Sequence, residues 1–423
     1  MNVMARTTGL TLDVESPDWA GGEILERITE EAAITAPDGD APRVEMVADE
    51  GAVVATGAPV ARLHDSPEVA LVAPMAARVA RVHLRAGRRL AEIVLFREPG
   101  GDVVRHDAGD AAAGSSDALL HLMMASGFWP RIRRRPFGRM PVAGERPLSV
   151  FVMASDTRPL APDPLDALAG REEDFARGLG ALAGLAPEGA VLCKPAGAPL
   201  AGVPKDGVRV VTTGARHPQG LAGIRIHAAC PAAPDRPVWD LHAEDVADLG
   251  SLLVTGHLPQ TRLVTVTGPA LNETRRLRCQ TGADMRALSY GAIRTGPHRI
   301  LSGSALDGHP GHWLAPRHRQ VTVLPAGEAA PKPHWFLAAL TRWSLPRPVI
   351  PTAALDAAAG GAFPVMPMIR ALSVGDDETA IRLGALSLVE EDLALVDYVT
   401  AGQPPLGDLL REMLDRVEAE VGA

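Results

Sequence analysis

The residues best suited to chemistry form a basic run beside two aromatic side chains. Trp129 precedes the run, Phe137 interrupts it, and Pro136 blocks a continuous helix; the basic residues are Arg131, Arg133, Arg134, Arg135 and Arg139. Guanidinium groups bind phosphates and carboxylates, so the run could hold anionic lipid headgroups, a flavin phosphate or an acidic patch of a partner. The alternative is a solvated loop that packs the two aromatic side chains into a domain junction.

Two histidines flank a Gly-containing phrase and suit hydrogen bonding to a small ligand. His217 and His227 enclose the residues PQGLAGIRI. We predict a strand near LAGIRIH, on which Arg225 and His227 share one face. A neutral imidazole N–H can donate to a quinone carbonyl, so His227 is a candidate quinone ligand. A histidine at the edge of the core is the alternative.

Other polar clusters have simpler interpretations. His309, His312 and His318 lie in HPGHWLAPRH, but their spacing fits no common zinc pattern and no cysteine assists, so we predict no metal site there. The carboxylates of EED, at positions 390–392, are predicted to begin a helix, where they complement the positive end of the helix dipole. Contact with a basic partner surface is the alternative for these carboxylates.

Composition excludes several classes of protein. The net charge of −9 and the pI near 5.8 argue against a nucleic-acid partner. Cys193, Cys230 and Cys279 are too widely spaced for a disulfide framework or an iron–sulfur cluster. Apolar stretches fall far short of the ~20 residues that span a bilayer. With no signal-peptide pattern in residues 1–30, we expect a cytoplasmic chain.

The first hundred residues predict a small β domain. Residues 40–97 contain two similar halves with alternating apolar positions around Gly51, Gly57 and Gly87. The pattern resembles the lipoyl and biotinyl carrier domains, which implies a barrel-sandwich fold. Those carriers attach the cofactor to a lysine at a hairpin tip, where this chain has HDSP at 64–67. We therefore expect no lipoate and no biotin.

The middle of the chain predicts a parallel α/β layer of Rossmann-like type. Apolar runs at 148–155, 190–194 and 208–212 alternate with a helical stretch at 165–185. The phrase GLGALAG at 178–184 imitates a dinucleotide-binding fingerprint, but it precedes a strand instead of following one. No Walker A pattern is present either. This layer is therefore expected to lack nucleotide chemistry.

The last third predicts a second β region followed by helices. Strands are expected within 262–271, 276–285, 299–306 and 319–325, and helices within the last fifty residues. The strands resemble the SLBB β-grasp module of the flavin-binding subunit of complex I and of the RnfC proteins. In those relatives a helical region holds 4Fe–4S clusters. Cys279 is the last cysteine here, so the helical region lacks cluster ligands.

Four phrases in a fixed order carry a chain-wide resemblance: SGFWPRIRRRPFGRMP, SDTRPLAPDP, HPQGLAGIRIH and GALSLVEEDLALVDYV. Together they resemble the NqrA family, whose members belong to the Na+-translocating NADH:quinone oxidoreductases, the Nqr complexes. The predicted fold is α/β and multidomain. Its domains are a barrel-sandwich domain at 1–100, a Rossmann-like domain at 101–255, an SLBB β-grasp domain at 256–330 and a helical domain at 331–423.

The resemblance implies a peripheral subunit on the inner face of the bacterial inner membrane. It would contact NqrB, which is embedded in the membrane, and the other Nqr proteins, and it would support reduction of ubiquinone without flavin or an iron–sulfur cluster of its own. Trp129 and Phe137 would form a quinone slot with His227 as donor. Arg131, Arg133, Arg134, Arg135, Glu390, Glu391 and Asp392 are the candidate docking residues. Because 331–363 matches the family poorly, a stand-alone scaffold or small-ligand binding protein is the alternative.

Overall fold

The computed structural model describes residues 8–19, 21–22, 24–37, 41–200, 202–327, 349–402 and 404–421. These residues form a mixed α/β fold with several sheets. Most of the segment 331–363, which was singled out above, lies outside the described residues.

The N-terminal β unit consists of two small sheets around one core. The strand order in the first sheet is β2 (Glu31–Thr35), β8 (Arg89–Arg97), β7 (Ala77–Arg85) and β4 (Val53–Val54). The second contains β3 (Val44–Met46), β5 (Pro59–Leu63) and β6 (Ala70–Val72). Val60 and Ile93, one from each sheet, are both fully buried in this core. The predicted turn glycines 51, 57 and 87 all have positive φ, as tight turns require.

The α/β unit is built around a five-stranded sheet. Four strands are parallel, namely β10 (Ser149–Met153), β11 (Ala190–Pro195), β12 (Val208–Thr213) and β13 (Val238–His242). The strand β9 (Arg133–Arg135) pairs antiparallel with β13, and the sheet order is β12-β11-β10-β13-β9. The helices of this unit are α1 (Gly109–Ala112), α2 (Ser116–Ala125), α3 (Glu172–Leu185), α4 (Ala222–Ala229) and α5 (Ala243–Thr255). The three strands predicted from apolar runs, and the helix between the first two, are confirmed.

The predicted strand near LAGIRIH is wrong, because these residues form α4. Leu221 and Ile224 belong to the core of the C-terminal helices, whereas Ala222 and Ile226 belong to a core beneath the sheet. A helix that is buried on two sides has apolar residues all round, and its sequence does not show the usual helical periodicity. Arg225 and His227 therefore do not share a strand face.

The sheet order places two strand ends side by side. The chain forms β10, β11 and β12 in one direction and then returns to place β13 on the other side of β10. The carboxyl ends of β10 and β13 therefore meet where the strand order reverses. In open α/β sheets this is where ligands usually bind.

The third unit is a six-stranded sheet. It contains β1 (Leu25–Glu26), β14 (Thr261–Thr267), β15 (Arg275–Gln280), β16 (His298–Ser302), β17 (His309–Pro310) and β18 (Gln320–Pro325), with helix α6 (Met285–Ser289) packed beside them. The strand order is β1-β15-β14-β18-β16-β17. The four strands predicted in this region are confirmed. The N-terminal segment also contributes to this sheet, because Leu25 pairs with Leu277.

The C-terminal unit is helical. Its helices are α7 (Ala353–Ala358), α8 (Val365–Val374), α9 (Asp377–Arg382), α10 (Glu390–Thr400) and α11 (Leu406–Val421). The prediction that residues 390–392 begin a helix is confirmed. Phe137 is buried in the core of these helices, whereas Trp129 is buried in the core of the α/β unit. The segment between them therefore joins two cores, as the junction interpretation expected.

Gly178, the first glycine of the phrase that imitates a nucleotide fingerprint, serves helix packing together with Gly250. A Cβ atom on Gly178 of α3 would lie 1.9 Å from the carbonyl oxygen of Val246 in α5. A Cβ atom on Gly250 of α5 would lie 1.8 Å from the carbonyl oxygen of Asp174 in α3. Each glycine thus lets the backbone of the other helix approach closely.

We predict that Gly250→Ala destabilises the protein by about 2–3 kcal/mol, because the added methyl group must push α3 and α5 apart. The matched control is Gly184→Ala near the end of α3, where an added Cβ meets nothing within 4 Å. This control is expected to be neutral or to stabilise by up to about 1 kcal/mol. Urea unfolding of both variants measures the difference, and equal midpoints would contradict the close helix crossing.

Candidate functional site

The basic run is not a solvated loop. Arg133, Arg134 and Arg135 form strand β9, and Arg135 is completely buried. Arg131 is also buried. The expectation of exposed arginines is therefore wrong. The physical reason is that carboxylates from β13, from α5 and from the C-terminal helices surround these guanidinium groups and replace their hydration.

Arg131 faces the first turns of α5. Its guanidinium donates to Asp248 at 2.6 Å and lies 3.5 Å from Asp245. Arg319, which precedes β18 in the six-stranded sheet, pairs with the same Asp245 at 2.7 Å and with Glu244 at 3.2 Å. The acidic start of α5 is thus held between arginines of two units.

Arg133 and Arg135 connect β13 to the C-terminal helices. Arg133 pairs with Asp240 at 3.1 Å and with Glu391 at 2.6 Å. Arg135 pairs with Asp240 at 3.0 Å and with Asp392 at 3.1 Å. The side chain of Arg134 points elsewhere, with its guanidinium 5.4 Å from the ring centre of Phe137.

Arg158 completes this arrangement. We call the four arginines Arg131, Arg133, Arg135 and Arg158, together with the carboxylates that they contact, the junction network. Arg158 follows β10, donates to Asp156 at 2.6 Å and lies 3.2 Å from Asp307 of the six-stranded unit. It also lies 3.6 Å from Glu391. Glu391 therefore links Arg133 to Arg158. Burial alone would raise the pKa of Glu391, but these two arginines outweigh it and hold that pKa well below its usual range.

The pKa of the neighbouring carboxylate, Asp392, is shifted in the opposite direction. Asp392 accepts a hydrogen bond from the backbone N–H of Val389 at 2.9 Å and caps α10. Burial, which Arg135 only partly offsets, raises the pKa of Asp392 to about 6. A Cβ atom on Gly223 of α4 would lie 2.0 Å from this carboxylate, so only glycine fits there.

A small cavity of about 70 Å³ lies within the junction network. It is located at the adjoining ends of β10 and β13, where Ser155 and His242 line it. All four phrases noted in the sequence contribute to its wall, through Arg131, Arg133, Asp156, Arg158, Gly220, Leu221, Ala222 and Glu391. The phrases are thus far apart in sequence but meet at one point of the fold.

A much larger cleft of about 910 Å³ opens beside this cavity. One wall comes from the N-terminal β unit, a second from the loop around Trp313, and a third from α10 and the start of α11. The walls carry aromatic, imidazole and carboxylate groups, among them His309, His312, Trp313, Tyr398 and Asp408. Arg133, His318 and Glu391 line both the cleft and the small cavity.

The candidate quinone residues line neither of these two cavities. The indole N–H of Trp129 donates to the carbonyl oxygen of Pro141 at 2.9 Å, and the ring packs edge-on against Trp239. Phe137 is buried among the C-terminal helices. His227 packs edge-on against Phe363, and burial lowers the pKa of its imidazole. The structure therefore does not bring the three side chains to one slot.

Sequence reasoning missed Arg158, Asp307 and, in the cleft, Trp313, Tyr398 and Asp408. It singled out His309, His312, His318, Arg133, Glu390 and Glu391 but did not bring them together in one cleft. Arg158 belongs to the phrase SDTRPLAPDP, which was used only as a mark of resemblance. Arg158 follows Asp156 by two positions, and this spacing was the signal in the sequence for a local ion pair. The described residues contain no group of three or more His, Cys, Asp or Glu side chains arranged to hold a metal ion.

Comparisons with known proteins agree with this organisation. A family model described as the NqrA second alpha/beta domain matches residues 114–258, and one described as the NQRA C-terminal domain matches residues 263–311. The NqrA protein of the Na(+)-translocating NADH-quinone reductase from Pseudomonas aeruginosa is 33% identical over 366 residues, which cover 79% of this chain and 82% of that protein. The corresponding protein of Shewanella amazonensis is 34% identical over the same shares.

Two further observations concern distant structures and the membrane. An NAD+-reducing NiFe-hydrogenase in the air-oxidized state aligns over 73% of this chain and 67% of that chain, at 10% identity and a TM-score of 0.37. Among the described helices, none is both long and apolar enough to cross a membrane.

The buried state of Arg135 predicts a large effect on stability. Arg135→Met should destabilise the protein by about 3–5 kcal/mol, because it leaves Asp392 buried without its arginine and leaves Asp240 with Arg133 alone. The control is Arg146→Met, which breaks an exposed pair with Asp117 and should cost at most about 1 kcal/mol. Chemical denaturation compares the two, and equal losses would show that Arg135 is not a buried partner.

The lowered pKa of Glu391 predicts how stability depends on pH. Above its unfolded value near 4.5, the charged carboxylate stabilises the fold, and this contribution is lost as pH falls through the lower folded-state pKa. The stability difference between wild type and Glu391→Gln should therefore shrink as the pH is lowered from 7 towards 3. The exposed control Glu378→Gln should show no such trend. A pH-independent difference for Glu391→Gln would contradict the charged assignment.

Proposed function

The chain belongs to the NqrA family of the Na+-translocating NADH-quinone reductases, and on this premise we propose that it is the peripheral, cytoplasmic-side component of an Nqr-type complex that supports quinone reduction. Its relatives are subunits of such reductases by name. The other Nqr proteins, with membrane-embedded NqrB first among them, are the proposed partners. The chain itself carries no flavin, iron–sulfur cluster, lipoate or biotin in this proposal.

The observation that supports a role with quinone is the large cleft. Sites for small molecules are concave and mostly apolar, with a few polar groups that fix orientation. The cleft has about 910 Å³, with Trp313, Tyr398 and Leu306 as apolar surfaces and His309 and His312 as donors. We therefore place a ubiquinone headgroup in the cleft instead of between Trp129, Phe137 and His227.

In this proposal a partner protein and a quinone both contact the chain at the cleft. Two of its walls come from the six-stranded unit and the C-terminal helices, which Arg158 joins through Asp307 and Glu391. The wall from the N-terminal β unit is tied to the six-stranded unit, because the indole N–H of Trp313 donates to Glu92 at 2.9 Å. The side chain of Tyr398 is 70% exposed at the cleft and available for contact. The EED carboxylates at 390–392 take part in internal ion pairs, so docking in this proposal relies on the rim of the cleft instead of these charges.

Purification from native membranes tests the complex, and photolabelling of the same sample tests the site. A tagged chain recovered in mild detergent should carry flavin-containing partners, and the chain separated from them should be colourless. In the complex, a photoreactive ubiquinone analogue should label peptides 305–315 or 394–408, and excess ubiquinone should suppress the labelling.

A substitution that fills the cleft tests the site, and a matched substitution on an exposed helix face is its control. Ala394→Trp fills the cleft and should reduce labelling at least about tenfold, whereas Ala354→Trp on the exposed side of α7 should not. Recovery of the chain without any flavoprotein would favour the stand-alone alternative. Labelling confined to 217–227 would return the site to His227 and refute the cleft assignment.

A further inference from the structure

We propose that the tip of the β7–β8 hairpin binds the phosphate groups of an anionic membrane surface through a row of exposed arginines. The row consists of Arg43, Arg89 and Arg85, and Arg88 lies beside it in the hairpin turn. This inference rests on the proposed location of the chain beside a membrane. It adds which face of the chain is turned towards the lipid.

The register of the strands places the three arginines on one face. Arg85 lies directly opposite Arg89 in the hairpin, and Arg43 lies opposite Arg89 in an isolated bridge. Backbone bonds from Val44 N to the Arg88 oxygen and from Leu90 N to the Pro42 oxygen flank that bridge. Arg43 and Arg89 are therefore a non-hydrogen-bonded pair, the type in which opposite side chains are closest.

Within the part of the chain that the structure describes, this charge is largely uncompensated. Like charges directly opposite each other destabilise a sheet. Among the described ion pairs, no carboxylate partners Arg85, Arg88 or Arg89, and the last two donate to the backbone oxygens of Val44 and Ala41. Arg43 has only a 3.9 Å contact with Asp65, whose side chain is 74% exposed. No acidic residue occurs from position 78 to position 91.

Other arginines of the same hairpin differ in this respect. Arg78 pairs with Glu98 at 2.8 Å, Arg81 with Glu92 at 2.5 Å, and Arg97 with Glu30 at 3.5 Å. Among the described residues, carboxylates therefore balance the body of the hairpin, whereas the tip has only the 3.9 Å contact of Arg43 with Asp65. In this proposal an external anion is the partner of the tip.

A lipid surface matches the shape and charge of the tip. Arg85 also lines the edge of the large cleft, whereas Arg43, Arg88 and Arg89 line neither cavity described above. All four are exposed at the end of the hairpin, so they can reach several phosphates of one surface at once. Guanidinium groups bind phosphate oxygens in bidentate fashion. Because the whole chain has a net charge of −9, a local positive tip would also orient the molecule towards an anionic membrane.

Vesicle flotation of the purified full chain tests the inference. We expect binding to phosphatidylcholine vesicles that contain phosphatidylglycerol, no binding to pure phosphatidylcholine, and a loss of binding as salt is raised. The variant Arg43→Gln/Arg85→Gln/Arg89→Gln should bind about 100-fold more weakly, since each basic residue near an anionic surface contributes about fivefold. The control Arg78→Gln/Arg81→Gln/Arg97→Gln has the same net charge and should lose less than about tenfold.

Two outcomes would overturn the inference. Equal losses in the two triple variants would mean that diffuse charge acts instead of the row. Displacement from vesicles by millimolar inorganic phosphate at constant ionic strength would indicate a site for a soluble anion. Thermal unfolding of the row variant should be unchanged or shifted upward, because repulsion is removed, so loss of binding cannot be attributed to misfolding.

The test is separable from the proposed function. A wild-type chain that assembles with flavoprotein partners but ignores anionic vesicles would refute this inference alone. A chain that binds such vesicles but recovers no Nqr partner would refute the proposed function alone. If the row variant is lost from the vesicles yet keeps its partners, the row contacts lipid and not a partner protein.

Discussion

Ion pairs between buried guanidinium groups and carboxylates organise the centre of the molecule. Removing one charge from such a cluster leaves another buried without a partner, which is costly. Glu391 is shared between Arg133 and Arg158, and Asp240 between Arg133 and Arg135. The ends of β10 and β13, the six-stranded sheet and the C-terminal helices therefore have to come together in one arrangement. The large cleft takes its shape from that arrangement.

The junction network also gives the four phrases a physical meaning. Each of them supplies a residue to the wall of the small cavity at the strand ends. Glycine is required where α4 approaches Asp392, and arginines are required where the strand ends carry carboxylates. The resemblance to other NqrA proteins thus follows the part of the fold with the least freedom to change. The cleft opens beside this centre and shares Arg133, His318 and Glu391 with it, whereas the hairpin tip lies away from it.

Local patterns predicted the elements but not their neighbours. Alternating apolar residues indicated β10, β11 and β12, and an acidic start indicated α10. The helix α4 was interpreted as a strand because both of its sides are buried. The burial of Arg135 could not be predicted, since its partner Asp392 is 257 positions away in sequence. Long-range ion pairs have no local signal, and they decide whether a basic run is solvent-exposed or part of the core.

The most direct test of this account is a double-mutant cycle between Arg133 and Glu391, which join the α/β unit to the C-terminal helices at 2.6 Å. Unfolding free energies are measured for Arg133→Met, for Glu391→Gln and for the double variant. The account predicts a coupling energy of at least about 1.5 kcal/mol, because the two charges share a buried site. Additivity within about 0.5 kcal/mol would mean that the pair does not hold the two units together.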